Sequence, residues 1–310
     1  QISINFNNYK KSTVHDVFDE ACRLAETRGV RVTGSELVGL IPLDAMIMAG
    51  KHYLKKQNRS MGIPTRDIIE CAVQSLGLND VSSFNPSEKI IDYAVLNDEE
   101  LKKNSMFDKE FLEELSTNSP APGGGSVAAL SGSLGASLSS MVAALTHEKK
   151  EMLNSKPLMD EIGIEAQSLK DRLSDLIDED TKAFNSVIAA IRLPQNTKEE
   201  KVYRDATIQM ANKYAIEIPM ETAEKCFRVL QLSEKLVDNG NPNSVSDAGV
   251  AAEVALAGVR AAGMNVMINL PGLEDSSYVE DTQNKINELI NDSEALHKTI
   301  YNKTLLIIKS

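Results

Sequence analysis

The stretch that decides the fold lies in the middle of the chain, where residues 118–126 read NSPAPGGGS and residues 127–146 read VAALSGSLGASLSSMVAALT. Three consecutive glycines cost conformational entropy, so they indicate either a disordered linker or a backbone conformation that other residues avoid. The two prolines before the glycines keep the approach extended and non-helical. The small residues that follow predict a helix from about residue 125 to residue 147, which neighbouring helices can approach closely.

The same stretch is long enough to span a bilayer, because no charged residue occurs from Leu115 to Thr146. Its composition argues against a membrane span, since prolines and glycines open it and Leu, Ile and Phe are sparse. Serine also occupies several of its positions, namely 126, 131, 133, 137, 139 and 140. We therefore interpret the stretch as a buried helix and predict no membrane association.

The first third of the chain mixes strand and helix patterns. Residues 1–6 (QISINF) alternate apolar and polar side chains, and residues 30–41 (VRVTGSELVGLI) contain two short apolar runs around a glycine, so both segments predict strands. With the short helices bounded by proline or glycine, they predict a small α+β subdomain over residues 1–97. Because the chain starts at Gln1 inside a strand pattern, and three short strands make a thin sheet, we expect upstream residues to be missing.

Beyond this subdomain the pattern becomes entirely helical. A polar segment at 98–106 predicts a linker, and residues 107–310 predict an all-α bundle of six or seven helices joined by short loops. Within the bundle, the spacing Thr197-x-x-Glu200 predicts a capping box at a helix start. Proline has no backbone N–H for a helical hydrogen bond, so we expect Pro219 to interrupt the helix that starts there.

Composition and charge argue against several classes of partner. The net charge is −12 and is spread along the chain, which disfavours nucleic acid because phosphate binding requires a basic surface. The three cysteines and four histidines form no metal-ligand motif, so no metal site is predicted. No glycine-rich phosphate loop occurs, so no nucleotide cofactor is predicted. Cysteines of this spacing are typical of reduced thiols and predict a cytoplasmic protein.

The triple glycine is the first candidate for chemistry. Gly123, Gly124 and Gly125 leave the backbone amides of a helix start open to an anion or a carbonyl oxygen, and Ser126 adds a hydroxyl group. The structural alternative is a helix start whose glycines serve only tight packing.

Asp180 is the second candidate. It lies on the inward apolar stripe of its helix, where a carboxylate is costly unless it is paired or functional. The structural alternative is a buried ion pair, for example with Arg204 or Arg228.

A later loop and helix supply the remaining candidates. The loop that contains Asn241 leads into a helix whose first turn contains Asp247. Capping of this helix by Ser246 or Asp247 is the structural alternative for this motif. Asn265 and Asn269 lie four residues apart near the end of the same helix, so they share one face. On an otherwise apolar helix these two amides indicate either an internal polar network or contacts with a ligand.

Four ordered motifs resemble the cyclodeaminase domain of formiminotransferase-cyclodeaminase enzymes. They are PAPGGGSVAAL, DEDTKAFNSVIAAIRLP, NGNPNSVSDAGVAA and NVMINL, within residues 107–310. The segments QISINF, VTGSELVGLIPLDA and NPSEKIIDY look like the second subdomain of the formiminotransferase domain. The chain therefore resembles the second half of a bifunctional enzyme. Enzymes of this family transfer a formimino group to tetrahydrofolate and then close the product to 5,10-methenyltetrahydrofolate with release of ammonia.

The resemblance implies a tetrahydrofolate derivative, free or polyglutamylated, as the substrate, with no metal and no redox cofactor. It also implies a homodimeric helical domain, with larger assemblies in the bifunctional enzymes. In this chemistry Asp180 and Asp247 are the candidate acid–base residues. The candidate substrate contacts are Gly123, Gly124, Gly125, Ser126, Asn241, Asn265 and Asn269.

One departure from the family pattern matters, and two other functions stay open. The family's transferase site lies largely on the first subdomain, and His15 and His52 do not match its catalytic-histidine motif. We therefore expect no transferase activity from this chain alone. The first alternative is methenyltetrahydrofolate cyclohydrolase, a relative of the same fold that adds water to the methenyl product. The second is a non-catalytic folate-binding or assembly module.

Overall fold

A computed structural model describes residues 1–59, 61, 63, 65–95 and 109–309. The chain divides into two compact units, Gln1–Ser119 and Pro120–Ser310. The linker predicted at 98–106 lies outside the described residues, so the predicted domain boundaries stay predictions.

The described part of the first unit contains six helices. They are α1 (Val14–Glu26), α2 (Leu43–Lys56), α3 (Thr65–Ser75), α4 (Pro86–Lys89), α5 (Ile91–Val95) and α6 (Glu110–Leu115). The start of α1 follows its sequence signal, because the Thr13 side chain accepts a hydrogen bond from the Asp16 backbone amide. Gly29 and Gly77 follow α1 and α3 with φ angles of 68° and 61°, which favour glycine. The apolar core of the unit lies mainly between α2 and α3.

The strands predicted at 1–6 and 30–41 are not formed in the described residues. The β-type pairing found there is a single parallel bridge between Ile41 and Ile90. The alternating side chains at the start of the chain lie in solvent, with exposed fractions of 68% for Ile2 and 40% for Phe6. A strand needs a hydrogen-bonded neighbour, and alternation alone does not supply one. The α+β architecture predicted for this unit is therefore not observed in the part that the structure describes.

The second unit is an all-α bundle throughout its described residues, as the sequence predicted. Its helices are α7 (Gly124–His147), α8 (Lys156–Ile191), α9 (Lys198–Asn239), α10 (Val245–Asn269) and α11 (Ser276–Lys309). Short 3-10 turns occur at Lys150–Ser155, Pro242–Ser244 and Leu270–Gly272. Over residues 107–310, the range of the prediction, the described residues contain six helices, α6 to α11, which agrees with the six or seven expected.

The predicted interruption at Pro219 is wrong. The capping box at Thr197 and Glu200 is present as predicted, and α9 then runs through Pro219 without a break. The missing N–H of the proline would leave the carbonyl group of Ala215 without its helical donor. The side-chain nitrogen of Asn269 donates to that carbonyl oxygen at 3.0 Å. A donor from another helix therefore replaces the bond that the proline removes.

The two apolar helices α7 and α10 pack against each other in antiparallel directions. Gly258 of α10 lies beside Ala128, whereas Gly135 of α7 lies beside Ala251. A side-chain carbon at Gly258 would lie 2.6 Å from the Cys226 sulfur, so glycine is required for this close approach of three helices. By length and composition, α7 and the segment Pro242–Gly272 could each span a membrane, but 56% and 50% of their apolar windows are buried within the bundle.

Candidate functional site

The glycine-rich start of α7 lies directly against Asp180 of α8. The Ser126 hydroxyl oxygen lies 3.0 Å from Oδ2 of Asp180 and 3.1 Å from the backbone carbonyl oxygen of Ile177. Gly125 packs on the Asp180 carboxyl group, and a side-chain carbon at this position would overlap both carboxyl oxygens. The structure therefore brings the triple glycine and the inward aspartate together.

The start of α7 is capped by a residue without a side chain. Gly123 is the N-cap, so the amides of the first turn need acceptors from elsewhere. The Ser126 amide donates to the Asp180 carboxyl group. No hydrogen bond within the described residues uses the amides of Gly124 and Gly125. These two groups, at the positive end of the helix dipole, could donate to an anionic or carbonyl oxygen of a ligand.

Asp180 has no cationic partner in the part of the chain that the structure describes. Burial raises the pKa of its carboxyl group, and the hydrogen bonds from the Ser126 hydroxyl and amide oppose that rise. Neither predicted arginine pairs with it: Arg228 binds Glu165, and Arg204 contacts Asp205. Asp180 is thus a partly buried acid without a salt bridge that faces the start of another helix. Such an environment is typical of a residue that exchanges protons.

Two asparagines of α10 reach the same end of the bundle. Asn265 lies against Gly124, where an added side-chain carbon would be 3.3 Å from its Nδ2 atom. This nitrogen also donates to the carbonyl oxygen of Ala261 at 2.8 Å. Asn269, one turn later, donates to Ala215 of α9. Asn265 therefore borders the glycine start, whereas the side-chain nitrogen of Asn269 serves a contact between helices.

Asn241 and Asp247 lie at the opposite end of the bundle. The backbone amide of Asn241 donates to the Thr146 hydroxyl at 2.9 Å, near the last residue of α7. Asp247 is in the first turn of α10, about 27 Å along that helix from Asn265 at 1.5 Å per residue. The N-cap of α10 is Ser244, so neither Ser246 nor Asp247 takes that position. Within one chain, these two candidates do not join the group around Asp180.

The link between Pro219 and Asn269 was not predicted from the sequence. The signal was present, because a proline inside a long helical pattern always frees the carbonyl four residues before it. The sequence does not say which distant donor fills that position. The structure identifies the donor as a residue that had been assigned to substrate binding.

Other reactive side chains do not extend the site. No group of three His, Cys, Asp or Glu residues in the described ranges could hold a metal ion. All three cysteines are free, and burial raises the pKa of the Cys226 thiol to about 12. His15 and His52 belong to the first unit, where their rings stack with centroids 4.3 Å apart.

The bundle resembles a solved helical enzyme. The crystal structure of formiminotetrahydrofolate cyclodeaminase from Thermotoga maritima superposes with a TM-score of 0.55 at 28% sequence identity. The match covers 67% of this chain and 98% of that chain. The fold and the site together define a cyclodeaminase-like helical domain.

Family sequence models cover both parts of the chain. The model described as formiminotransferase-cyclodeaminase matches residues 108–288, and that of the formiminotransferase domain matches residues 1–96. The chain belongs to the formiminotransferase-cyclodeaminase family, which confirms the resemblance drawn from its motifs.

Curated relatives carry two different names. Formimidoyltransferase-cyclodeaminase of Rattus norvegicus is 33% identical over 94% of this chain and 54% of its own length. The protein of the same name from Dictyostelium discoideum is 36% identical over 97% of this chain and 55% of its own length. Methenyltetrahydrofolate cyclohydrolase of Methylorubrum extorquens is 39% identical over 62% of this chain and 92% of its own length. The chain thus spans about half the length of the bifunctional relatives.

Proposed function

We propose that the second unit is a cyclodeaminase that closes 5-formiminotetrahydrofolate to 5,10-methenyltetrahydrofolate with release of ammonia. The observation that carries this proposal is the Asp180 carboxyl group, which has no cationic partner among the described residues and lies at the open start of α7. Membership of a family whose full-length relatives are named formimidoyltransferase-cyclodeaminase supports the choice of reaction.

The reaction requires one base and one acid. Nitrogen 10 of the folate attacks the formimino carbon on nitrogen 5, so a new carbon–nitrogen bond forms and the amine of the formimino group leaves. A base removes the proton of nitrogen 10, and an acid protonates the departing amine, which becomes ammonia. The carbon is part of a cationic amidinium in the transition state and in the product, and a nearby carboxylate stabilises that charge.

The residues around Asp180 fit these tasks. Asp180 provides the acid–base group, and Ser126 orients it through the hydrogen bond of 3.0 Å. The amides of Gly124 and Gly125 bind a carbonyl or carboxylate oxygen of the folate, with Gly123 leaving the helix start uncovered. Asn265 orients the pterin from the adjacent helix. No step of this scheme calls for a metal ion or a nucleotide.

A twofold homodimer would use the exposed face of α7 and α10. Both helices leave apolar side chains in solvent, and Leu134 and Met264 are 52% and 69% exposed. Other exposed apolar members are Val127, Met141, Leu145, Val250 and Ile268. An exposed apolar surface of this kind is typical of a docking interface, and a second copy of the chain is the occupant that we propose.

The two ends of this face are complementary in charge. Asp247 carries a carboxyl group at one end, and the positive start of α7 at Gly124 lies at the other. Because α7 and α10 are antiparallel, a twofold axis across their middle would bring Asp247 and Asn241 of one copy towards Asp180 of the other. Such a dimer would unite the two separated groups of candidate residues in one site.

Mixed dimers test this arrangement. We expect the Asp180→Asn chain and the Asp247→Asn chain each to be inactive alone. When the two are mixed in equal amounts and exchange subunits, half of the dimers contain one chain of each variant. Each mixed dimer would contain one intact site, so roughly a quarter of the wild-type activity should return. Three results would contradict the dimeric site. The first is that activity does not return after verified subunit exchange, the second is a monomer by sedimentation, and the third is binding of the apolar face to lipid vesicles.

The cyclohydrolase is the second candidate, because the Methylorubrum relative matches at 39% identity over 92% of its length. The two reactions share the methenyl compound but not the nitrogen product. Purified protein should release ammonia from 5-formiminotetrahydrofolate much faster than it hydrolyses 5,10-methenyltetrahydrofolate. The reverse order of rates would favour the cyclohydrolase, and tight folate binding without turnover of either compound would favour the non-catalytic module.

We do not expect transferase activity from this chain alone. Residues 1–96 match the formiminotransferase domain, which supports a contribution of the first unit to that activity within a larger protein. Measurable transfer of a formimino group from formiminoglutamate to tetrahydrofolate by this chain would contradict the expectation. A cytoplasmic location remains part of the proposal, and the three free cysteines support it.

A further inference from the structure

Side-chain amides tie the end of α10 and the turn after it to α9. Gln209 and Asn212 of α9 donate to the carbonyl oxygen of Gly272 at 3.1 and 2.9 Å. Asn269 donates in the opposite direction, to the carbonyl oxygen of Ala215 at 3.0 Å. We call Gln209, Asn212 and Asn269 the amide clamp. None of the three has a proton-transfer task in the proposed reaction.

The Asn269 bond differs from the other two in its acceptor. The carbonyl group of Ala215 would normally accept the amide of residue 219 in the next turn of α9. Pro219 has no such amide, yet α9 continues through it. A backbone carbonyl in a packed region is destabilising unless it finds a donor. Asn269 therefore supplies the hydrogen bond that the sequence of α9 omits.

This bond fixes the part of α10 that borders the candidate site. Asn269 follows Asn265 by one helical turn, and the side chain of Asn265 lies against Gly124. We propose that Asn269 is a positioning residue: it binds the carbonyl group freed by Pro219 and so holds Asn265 at the start of α7, beside Asp180. The kinetic part of this inference rests on the proposed function, whereas the structural part does not.

A double-mutant cycle between positions 219 and 269 tests the inference. Pro219→Ala restores an amide that can donate to Ala215 within α9, so Asn269 is no longer the required donor. In the wild-type background, Asn269→Ala should lower kcat for ammonia release on the order of tenfold and the melting temperature by about 2–4 °C. In the Pro219→Ala background, the same change should have less than about a third of either effect. Kinetics are measured where every variant is folded.

Asn212→Ala is the matched control. It removes another amide of the clamp whose acceptor, Gly272, does not depend on residue 219. Its effects on kcat and on melting should therefore be the same in the wild-type and Pro219→Ala backgrounds. Coupling to residue 219 is expected for Asn269 and not for Asn212.

Each outcome decides the inference. Equal losses from Asn269→Ala in the wild-type and Pro219→Ala backgrounds would overturn it and would favour a direct contact of Asn269 with substrate. The same conclusion would follow if Asn269→Ala failed to fold in both backgrounds while Pro219→Ala alone folded. Unchanged kcat in the wild-type background would also overturn it. If Asn269→Ala folds only when combined with Pro219→Ala, the clamp is supported. If the wild-type chain releases no ammonia, the proposed function fails, and the melting cycle still decides whether Asn269 replaces the missing donor.

Discussion

Two neighbouring parts of α8 hold carboxyl groups in opposite ways. In the first part, Glu165 forms a bidentate ion pair with Arg228 of α9. Further along the same helix, Asp180 meets only the hydroxyl and amide groups of Ser126 among the described polar groups. Both acids lie at helix–helix contacts of one bundle. The first acid is bound by an arginine, whereas the second has no cation in its described surroundings, which fits the acid–base role that we propose for it.

The pKa directions follow this difference. Hydrogen bonding to Arg228 lowers the pKa of Glu165, and hydrogen bonding to Arg172 lowers the pKa of Glu221. Burial raises the pKa of Asp180. Ion pairing therefore favours the ionised form of these two inter-helix glutamates, whereas burial disfavours the ionised form of Asp180. This difference supports the acid–base role proposed for Asp180.

Asp180→Asn should give the largest effect. The change keeps the size of the side chain but removes proton exchange, so kcat for ammonia release should fall on the order of a hundredfold or more. Ammonia and the methenyl product are measured together, and circular dichroism checks the fold. Unchanged turnover would remove Asp180 from the acid–base role.

Gly125→Ala tests how closely the carboxyl group must pack on α7. The added carbon would overlap Asp180, so we expect destabilisation of about 1–3 kcal/mol in urea unfolding, together with loss of activity. Gly163→Ala on α8 is the control, because its added carbon would lie 3.8 Å from Ala143, an ordinary contact. That change should be neutral or slightly stabilising. Equal stability of both variants would contradict the packing argument.

The pH dependence of stability should have opposite signs at the two acids. The pKa of Asp180 is raised in the folded state. Its contribution to the free energy of unfolding is therefore present below the unfolded-state pKa and is lost as pH rises through the folded-state pKa. The pKa of Glu165 is lowered in the folded state. Its contribution to the free energy of unfolding is therefore present above the unfolded-state pKa and is lost as pH falls through the folded-state pKa.

Urea unfolding of the two amide variants between about pH 4 and pH 8 measures these signs. As pH rises, Asp180→Asn should become more stable than wild type, by about 1 kcal/mol at neutral pH. Glu165→Gln should become less stable than wild type over the same range. Parallel curves for the two variants would remove the distinction drawn between the two parts of α8.

Glu165→Gln should have the smallest effect at neutral pH. The pair with Arg228 is partly exposed, so its loss should cost about 0.5–1 kcal/mol and leave kcat unchanged. A large fall in kcat would show that the paired stretch of α8 also takes part in the reaction.

Features that depend on neighbours in the chain could be predicted from the sequence. The helix expected from about 125 to 147 is observed as Gly124–His147, and the capping box at Thr197 forms as expected. The inward position of Asp180 also followed from the apolar spacing of its helix. Each of these depends on side chains within one or two turns.

Features that depend on distant partners could not be predicted. The alternation at residues 1–6 has no neighbouring strand to pair with in the described residues, so it forms no sheet. Pro219 does not end its helix, because Asn269 supplies a donor from α10. Asn241 and Asp247 had been grouped with Asp180 by motif alone, and they lie at the other end of the same helices.

By itself, the sequence determined the family, the helical bundle and the inward position of Asp180 on its helix, because periodicity acts through local geometry. Only the tertiary structure decided that Asp180 has no arginine beside it among the described residues, while Glu165 has one. It also decided that Asn265 borders the site and that Asn269 supplies the hydrogen bond that Pro219 cannot donate. Those outcomes depend on the register between helices, and register is set by the packing of whole faces rather than by any single motif.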